Sequence, residues 1–598
     1  MPQTNEFAFK IATANGTGSA SANGLIMQAI FRMGIPVTGK NVFPSNIQGL
    51  PTWYEIRVNR HGYTARTPHF DLMVALNPAT YQKDVHEVRS GGWLLYDSTW
   101  PLDLRLTRPD VTYLGIPLAE MCNAQFSGSR ERILMKNVAY AGALAALLGM
   151  DASIIRALLK EKYARKPALM DSNQLAVDLG YDYAMKHFAC PLPIHLEPMD
   201  KTKDSILIDG NTAAALGCVY AGATVGAWYP ITPATSLMEG FKSFCMKFRR
   251  DAEGRNRFAI LQAEDEIAAV GMVIGASWAG ARAFTSTAGP GISLMNEFIG
   301  LAYYGEVPCV IFDVQRAGPS TGMPTRTQQG DLMLCAYASH GDTRHICLYP
   351  ADPREAFETA AAAFDLAERF QTPVFVLSDL DIGMNDWMVP KLTWDDSYRP
   401  DRGKVLTAQE LDEAKSFSRY LDVDGDGIPY RTLPGVHPNG AYFTRGSGHN
   451  RFGGYTEDGD EYVDVLDRID RKIQRAARAV PAPIVRPAAT PTRLGLLTIG
   501  ACHAACVEAL DILARDGIAV DFMRVRGFPF SDEVAAFIEA HDLTFVVEQN
   551  RDAQLRSLLL LETAVQPDRL ESVRYYAGFP LSAHHVIAGI KAKLEKAA

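Results

Sequence analysis

The chain has 598 residues, 47% of them apolar and 21% charged, which suits a globular protein too long for one core, so three or four domains are expected. A formal charge of -9 and a pI near 5.9 leave no basic face for nucleic acid. No apolar run reaches membrane-spanning length, the best candidate, Val138 to Met150, being short and interrupted by glycine. The opening Met1-Pro2-Gln3-Thr4-Asn5-Glu6 lacks the basic-then-apolar order of a secretion signal. Nine cysteines are scattered, the closest two being Cys502 and Cys506, a spacing that suits neither zinc nor an iron-sulfur cluster. Reduced thiols in a cytoplasmic protein with no metal of its own follow.

In chain order, the apolar run Phe7 to Ala12 predicts a strand. Asn15-Gly16-Thr17-Gly18-Ser19 predicts a glycine loop, and Leu25 to Phe31 a helix. Further strands are expected at Leu72–Leu76 and Trp93–Tyr96, then an Ala/Leu-rich helix from Ala139 to Leu148. The third glycine of the dinucleotide fingerprint would fall at Ser21, and no Gly-Lys-Ser/Thr is present, so the loop is a poor NAD site and no P-loop. This α/β domain is placed at 1–195. A second one follows at 205–390, with strands at Phe258–Leu261, Val307–Asp313 and Val374–Leu377. Its helix through Ala360–Phe370 is capped by Asp352 and opened by Pro353. Residues 391–485 read as a polar, glycine-rich excursion and linker, the prolines Pro481, Pro483, Pro487 and Pro491 marking the stiff stretch into the next domain. A last α/β domain at 486–598 has strands at Leu494–Ile499 and Phe545–Val547 around a helix from Cys502 to Arg515.

Several runs carry chemistry-bearing residues. Tyr229-Pro230-Ile231-Thr232-Pro233 is a stiff turn that holds the Thr232 hydroxyl in one place. Ala263-Glu264-Asp265-Glu266-Ile267-Ala268-Ala269 puts three carboxylates before a helix of small residues (Ala268 to Ala281), expected to be buried. Acids there compensate the helix dipole, but a buried Glu266 also needs a partner. Thr285 to Gly291, Gln315 to Gly322 and Pro324 to Gln329 are hydroxyl- and glycine-rich loops at predicted strand ends, where open α/β sheets bind ligands. Arg316, Arg326 and Arg344 lie in or near them, each a carboxylate binder or a surface ion-pair partner. Asp422-Val423-Asp424-Gly425-Asp426-Gly427 has the start of a calcium loop, but its twelfth position is Leu433; as a Gly-Asp-Gly…Asn450 diphosphate motif it lacks a leading strand. Val546-Val547-Glu548-Gln549-Asn550 reads as a loop at a sheet edge.

Taken together, these runs resemble the α subunit of the 2-oxoacid:ferredoxin oxidoreductases with a fused γ domain, most of all the 2-oxoglutarate type. The Tyr229–Pro233, Ala263–Ala269 and Gly318–Gly322 stretches look like the pyrimidine-side signatures of that family. Val547-Glu548-Gln549-Asn550 looks like its transketolase C-terminal-like domain, and Asn15–Gly18 like a divergent γ-domain opening. The resemblance implies thiamine diphosphate shared with a β subunit, which carries Mg2+ and a [4Fe–4S] cluster. It also implies an (αβ)2 heterotetramer, ferredoxin as electron acceptor and coenzyme A as acyl acceptor. By that resemblance Glu266 meets the pyrimidine nitrogen and promotes deprotonation at C2, Ile231 lies against the cofactor, and Thr232 and Arg326 contact the 2-oxoacid. A five-carbon diacid needs a second cation, for which Arg344 is nominated with His340 as its neighbour. Strongly reducing clusters would also allow the reverse carboxylation, a CO2-fixing step as in a reductive TCA cycle. The rivals are the same reaction on pyruvate or a branched-chain 2-oxoacid, a non-catalytic regulatory subunit, and an NAD-dependent dehydrogenase.

Overall fold

A computed structural model of the chain describes residues 3–44 and 49–597; the Met1-Pro2 pair read above for a secretion signal lies outside them. Two compact units emerge: one runs to Ile208 and takes in Asn385–Lys391, the other comprises Asp209–Met384 and the chain from Leu392.

The first unit opens with the predicted strand, loop and helix. Strand β1 (Glu6–Ala14) is buried along most of its length, as expected of a strand covered on both faces. Gly16 and Gly18 take φ of 83° and 84°, which glycine alone adopts without strain, and turn the chain into α1 (Ser19–Arg32). The described residues add β2 (Val37–Val42), β3 (Pro51–Asn59), β4 (Phe70–Ala75), β5 (Val88–Asp97) and β6 (Thr112–Ile116), making a six-stranded sheet in the order β2-β3-β1-β4-β5-β6. β1, β4, β5 and β6 run parallel. Helices α2 (Ser129–Leu148) and α3 (Pro167–His187) touch backbone to backbone: a Cβ on Gly180 would lie 1.8 Å from the Ala139 carbonyl, and one on Gly142 2.0 Å from that of Val177. After building the first part of the second unit the chain returns, and strand Trp387–Pro390 pairs with Ser205–Ile208.

In the second unit, β7 (Val225–Trp228), α4 (Thr235–Phe248), β8 (Ala259–Gln262), α5 (Glu266–Trp278), β9 (Ala283–Thr287), α6 (Gly289–Tyr304) and β10 (Cys309–Gln315) alternate strictly. β11 (Ile346–Leu348), α7 (Pro353–Phe370) and β12 (Pro373–Asp379) continue the pattern. The six strands are mutually parallel, and right-handed crossovers are the form such units take. Phe284 packs edge to face against Phe312 and against Phe364 of α7. α7 has the predicted cap, the Asp352 carboxylate accepting from the Glu355 N–H with Pro353 in the first turn. α5, expected to be buried, shows solvent a face that includes Ile267 and Met272; its small residues made it read as interior.

The excursion after residue 391 contains a helix that its polarity hid, α8 (Gly459–Ala476). Val465, Ile469 and Ile473 face inward beside Arg468 and Lys472, and both cations are buried against Glu306, itself fully buried. Beyond it, β13 (Ile484–Arg486), β14 (Leu494–Thr498), α9 (Cys502–Arg515), β15 (Asp521–Arg524), β16 (Gly527–Phe528), β17 (Leu543–Glu548), α10 (Gln554–Glu562) and β18 (Leu570–Arg574) follow. Among the described residues they form a five-stranded sheet in the order β13-β15-β14-β17-β18, while β16 adds a seventh strand to the larger sheet beside β11. β17 therefore has a neighbour on each side, and Glu548-Gln549-Asn550 do not belong to an edge strand. The buried Glu548 carboxylate accepts from the Leu555 and Arg556 N–H groups at the start of α10, and Asn550 Nδ2 donates to the Gln329 carbonyl at 3.0 Å.

Candidate functional site

At one end of the seven-stranded sheet, four loops leave the carboxyl ends of β7, β8, β9 and β10, the ends where a parallel sheet opens to ligands. The loop after β7 is held from behind. Asn211 Nδ2 donates to the Pro233 carbonyl and to Ser236 Oγ, both at 2.8 Å. The Ile231 carbonyl accepts from the Ala234 and Thr235 N–H groups, which fixes the half-buried Ile231 and Thr232.

Arg316, the first residue after β10, reaches this loop: its Nη1 donates to the Thr232 carbonyl at 2.7 Å. The side chain is buried, its Nε has no acceptor, and among the described residues no carboxylate pairs with it. Burial lowers the guanidinium's pKa, and the fields of Asp331 and Glu266 oppose that change.

Glu266 is the first residue of α5 and is 5% exposed. The neighbouring Asp265 caps the helix, accepting from the Ala268 N–H at 2.7 Å, so the dipole is served without Glu266. Among the described residues no hydrogen bond or ion pair reaches the Glu266 carboxylate. Its stem lies against Gly291, where a Cβ would sit 2.8 Å from Glu266 Cγ and 1.9 Å from Thr287 Oγ1. The hydroxyl-rich Thr285–Gly291 run thus places one glycine where the glutamate needs room.

Arg326 lies further along the same loop. Its Nη1 donates to the Thr325 carbonyl at 2.8 Å, and its guanidinium lies 5.5 Å from the Phe579 ring centre. Arg344 is elsewhere. It precedes β11, at the amino ends of the parallel strands. The strand register puts it eight residues from the level of Arg316, roughly 25 Å along the sheet. There it pairs with Asp470 and Glu562, each at 3.3 Å, and His340 is exposed beside Glu297. The structure therefore brings Ile231, Thr232, Glu266 and Arg326 to one end of the sheet and leaves Arg344 and His340 at the other. Sequence reasoning gave Arg316 no particular role, because nothing local separates it from the other two arginines. Only the sheet register puts it beside Thr232 and Glu266.

The calcium-like run has a cation of its own. Lys404 Nζ lies 2.6 Å from Asp424 and 2.8 Å from Asp426, while Asp422 accepts from the N–H groups of Asp426 and Gly427. No group of side chains suited to hold a metal ion occurs among the described residues, and none of their helices is long and apolar enough to cross a membrane.

Parallel strands whose carboxyl-end loops gather a threonine turn, a buried glutamate and an arginine make this an α/β protein with a ligand site at its strand ends. Residues 216–404 match the family of pyruvate flavodoxin/ferredoxin oxidoreductase thiamine-diphosphate-binding domains, and residues 8–183 match the pyruvate ferredoxin/flavodoxin oxidoreductase family. The chain is 30% identical to 2-oxoacid:ferredoxin oxidoreductase 2 subunit alpha of Aeropyrum pernix, over 98% of this chain and 97% of that one. It is 32% identical to 2-oxoglutarate oxidoreductase subunit KorA of Mycobacterium tuberculosis over 54% of this chain and 52% of that one. The solved 2-oxoglutarate:ferredoxin oxidoreductase from Magnetococcus marinus, with 2-oxoglutarate, coenzyme A and succinyl-CoA bound, superposes with a TM-score of 0.88 at 26% identity, over 99% of this chain and 100% of that one. The chain belongs to the 2-oxoacid:ferredoxin oxidoreductase α-subunit family. The expected multi-domain α/β fold, with a thiamine-diphosphate-binding domain, is the one found.

Proposed function

We propose that the chain is the α half of a 2-oxoglutarate-type enzyme. It oxidatively decarboxylates 2-oxoglutarate with coenzyme A and ferredoxin, and works only with a β subunit that holds Mg2+, a [4Fe–4S] cluster and the cofactor's diphosphate. The observation that carries this reading is Glu266, a buried carboxylate that no hydrogen bond or ion pair reaches among the described residues, at the mouth of a strand-end site. The chemistry of that group fits an aminopyrimidine, whose ring nitrogen would supply the missing partner. Thiamine diphosphate, when bound, supplies the carbon nucleophile for the keto carbon and the sink for the electrons released with CO2.

The rest of the work falls to this chain. Glu266 holds or yields a proton at the pyrimidine nitrogen, protected from water by Gly291, Thr287 and the first turn of α6. Arg316 offers its free edge to the 2-oxoacid carboxylate, with the Thr232 turn fixed against it and Arg326 further along the same loop. Leu261, Ile267, Met272 and Leu294 are each more than a third exposed on or beside α5 and α6, giving an apolar face of the kind that a permanent partner covers. We assign that face to the β subunit of an (αβ)2 assembly. The 2-oxoglutarate preference is supported by the names of KorA and of the Magnetococcus enzyme.

The test is Glu266→Gln in the co-purified αβ complex. Oxoacid-dependent ferredoxin reduction should drop by about 100-fold or more with assembly unchanged. Retained turnover would sink the reading, and a wild-type complex faster on pyruvate than on 2-oxoglutarate would sink the substrate assignment alone.

A further inference from the structure

Behind Arg316 lies a pair of acids. Asp313, fully buried in β10, is level with Thr287 of β9 and Leu377 of β12. Asp331, half-buried, donates its N–H to Gln315 Oε1 at 3.1 Å and packs its carboxyl against Gly289, where a Cβ would lie 2.7 Å from Asp331 Oδ1. The two carboxyls are within hydrogen-bonding reach of each other, which two ionised groups do not sustain without a shared proton. Asp313 Oδ1 and Asp331 Oδ2 are enclosed and have no protein donor among the described residues. The first turn of α6 separates the acids of the site: Gly291 faces Glu266 and Gly289 faces Asp331. The charged groups around the pair are Arg316 and, through it, Glu266; the thiols of Cys335 and Cys347 face Asp313, and burial pushes both thiols up. Nothing in the reaction chemistry derived above uses this pair.

We propose that Asp313 and Asp331 hold one proton between them as the counter-charge of Arg316, and that a 2-oxoacid carboxylate arriving at Arg316 draws a further proton onto the pair from solvent. The inference rests on the reading of Arg316 as the carboxylate-binding group. Without substrate, Arg316 stabilises the charged form of Asp331. An anion paired with the guanidinium cancels that field and adds repulsion, so the pair's proton affinity rises. Burial already pushes Asp331 up to about 6, with the Asp313 contact and Arg316 acting against it, while Asp313 is raised further by burial and by Asp331. By linkage, oxoacid binding should tighten as pH falls through this range and weaken as it rises. Asp331 and Asp313 are then positioning residues, acting through Arg316.

The experiment uses the αβ complex stripped of thiamine diphosphate, so that 2-oxoglutarate binds without reacting. Calorimetric titration at about pH 6.5, in buffers of different ionisation enthalpy, counts the protons exchanged. The wild type should take up a fraction of a proton per 2-oxoglutarate bound, and Asp331→Asn should bind with the uptake lost. Asp313→Asn is the second variant, should the first not fold. In the holoenzyme, the KM for 2-oxoglutarate should rise with pH toward the one-proton limit of about tenfold per unit, and this slope should flatten in either variant while kcat changes less. Binding without uptake in the wild type, or uptake unchanged in the variants, would overturn the inference and leave the proposed function standing. A wild-type complex that binds no 2-oxoacid, or an Arg316→Ala complex that binds one undiminished, would remove both.

Discussion

Three residues at the strand ends divide the work by what each lacks. Among the described residues Glu266 has no hydrogen-bond or ion-pair partner and Arg316 no paired carboxylate, and Gly291 lacks the Cβ that would displace the first. Gly291→Ala should therefore cost activity more than stability. The added carbon collides with Thr287 Oγ1 and Glu266 Cγ, overpacking costs about 1–3 kcal/mol, and a thermal melt beside a ferredoxin-reduction assay separates the two effects. Arg316→Lys keeps a charge but loses the fork. The KM for 2-oxoglutarate should rise about tenfold or more, and steady-state kinetics at fixed coenzyme A reads it. Arg344→Ala removes two ion pairs from a side chain 33% exposed. Its stability cost should be about 0–1 kcal/mol, with an unchanged ratio of rates on 2-oxoglutarate and pyruvate. That residue was nominated because an arginine near hydroxyl-rich loops reads as a carboxylate binder. Its place at the amino end of β11 depends on which strands are parallel, and a local motif carries no such information.

Among the elements, α8 decides how the excursion is held. Its inward face places Arg468 Nη2 at 2.5 Å and Lys472 Nζ at 2.7 Å from the Glu306 carboxylate. Burial alone would raise Glu306, but Arg468 and Lys472 carry it well below its ordinary value, while burial draws Lys472 down to about 8 against the pull of Glu306. Glu306→Gln leaves two buried cations uncompensated and should cost about 3 kcal/mol or more, read as a lower melting temperature. The sign with pH follows: a carboxylate depressed on folding contributes stability above its unfolded value near 4.3. The wild type should lose stability as pH falls below that point, and the variant should lack this share of the loss. α8 escaped notice because two of its inward positions are basic, which breaks the apolar stripe that signals a packed helix. α7 was legible to the residue, since Asp352 and Pro353 are local start signals that need no tertiary partner.

At the scale of the whole molecule, the proposed function makes the chain one half of a shared site, with an apolar face beside it. Expressed alone it should show no oxoacid-dependent electron transfer and should carry no iron. Co-expression with the β chain should restore both, and activity with bound iron in the lone α chain would contradict the reading. The alternation of strand and helix, the capped α7, the glycine loop before α1 and the Thr232 and Glu266 turns were all legible, because each is written in neighbouring residues. Glycine, proline and capping side chains act on the backbone within a few positions, so a sequence determines them unaided. What only the tertiary structure decided is which distant groups meet: Arg316 with Thr232, Asp331 with Asp313, Lys404 with the acidic loop, and Glu306 with α8. Charges interact through space and burial, and the register of a parallel sheet, set by packing over the whole domain, determines which of them share it.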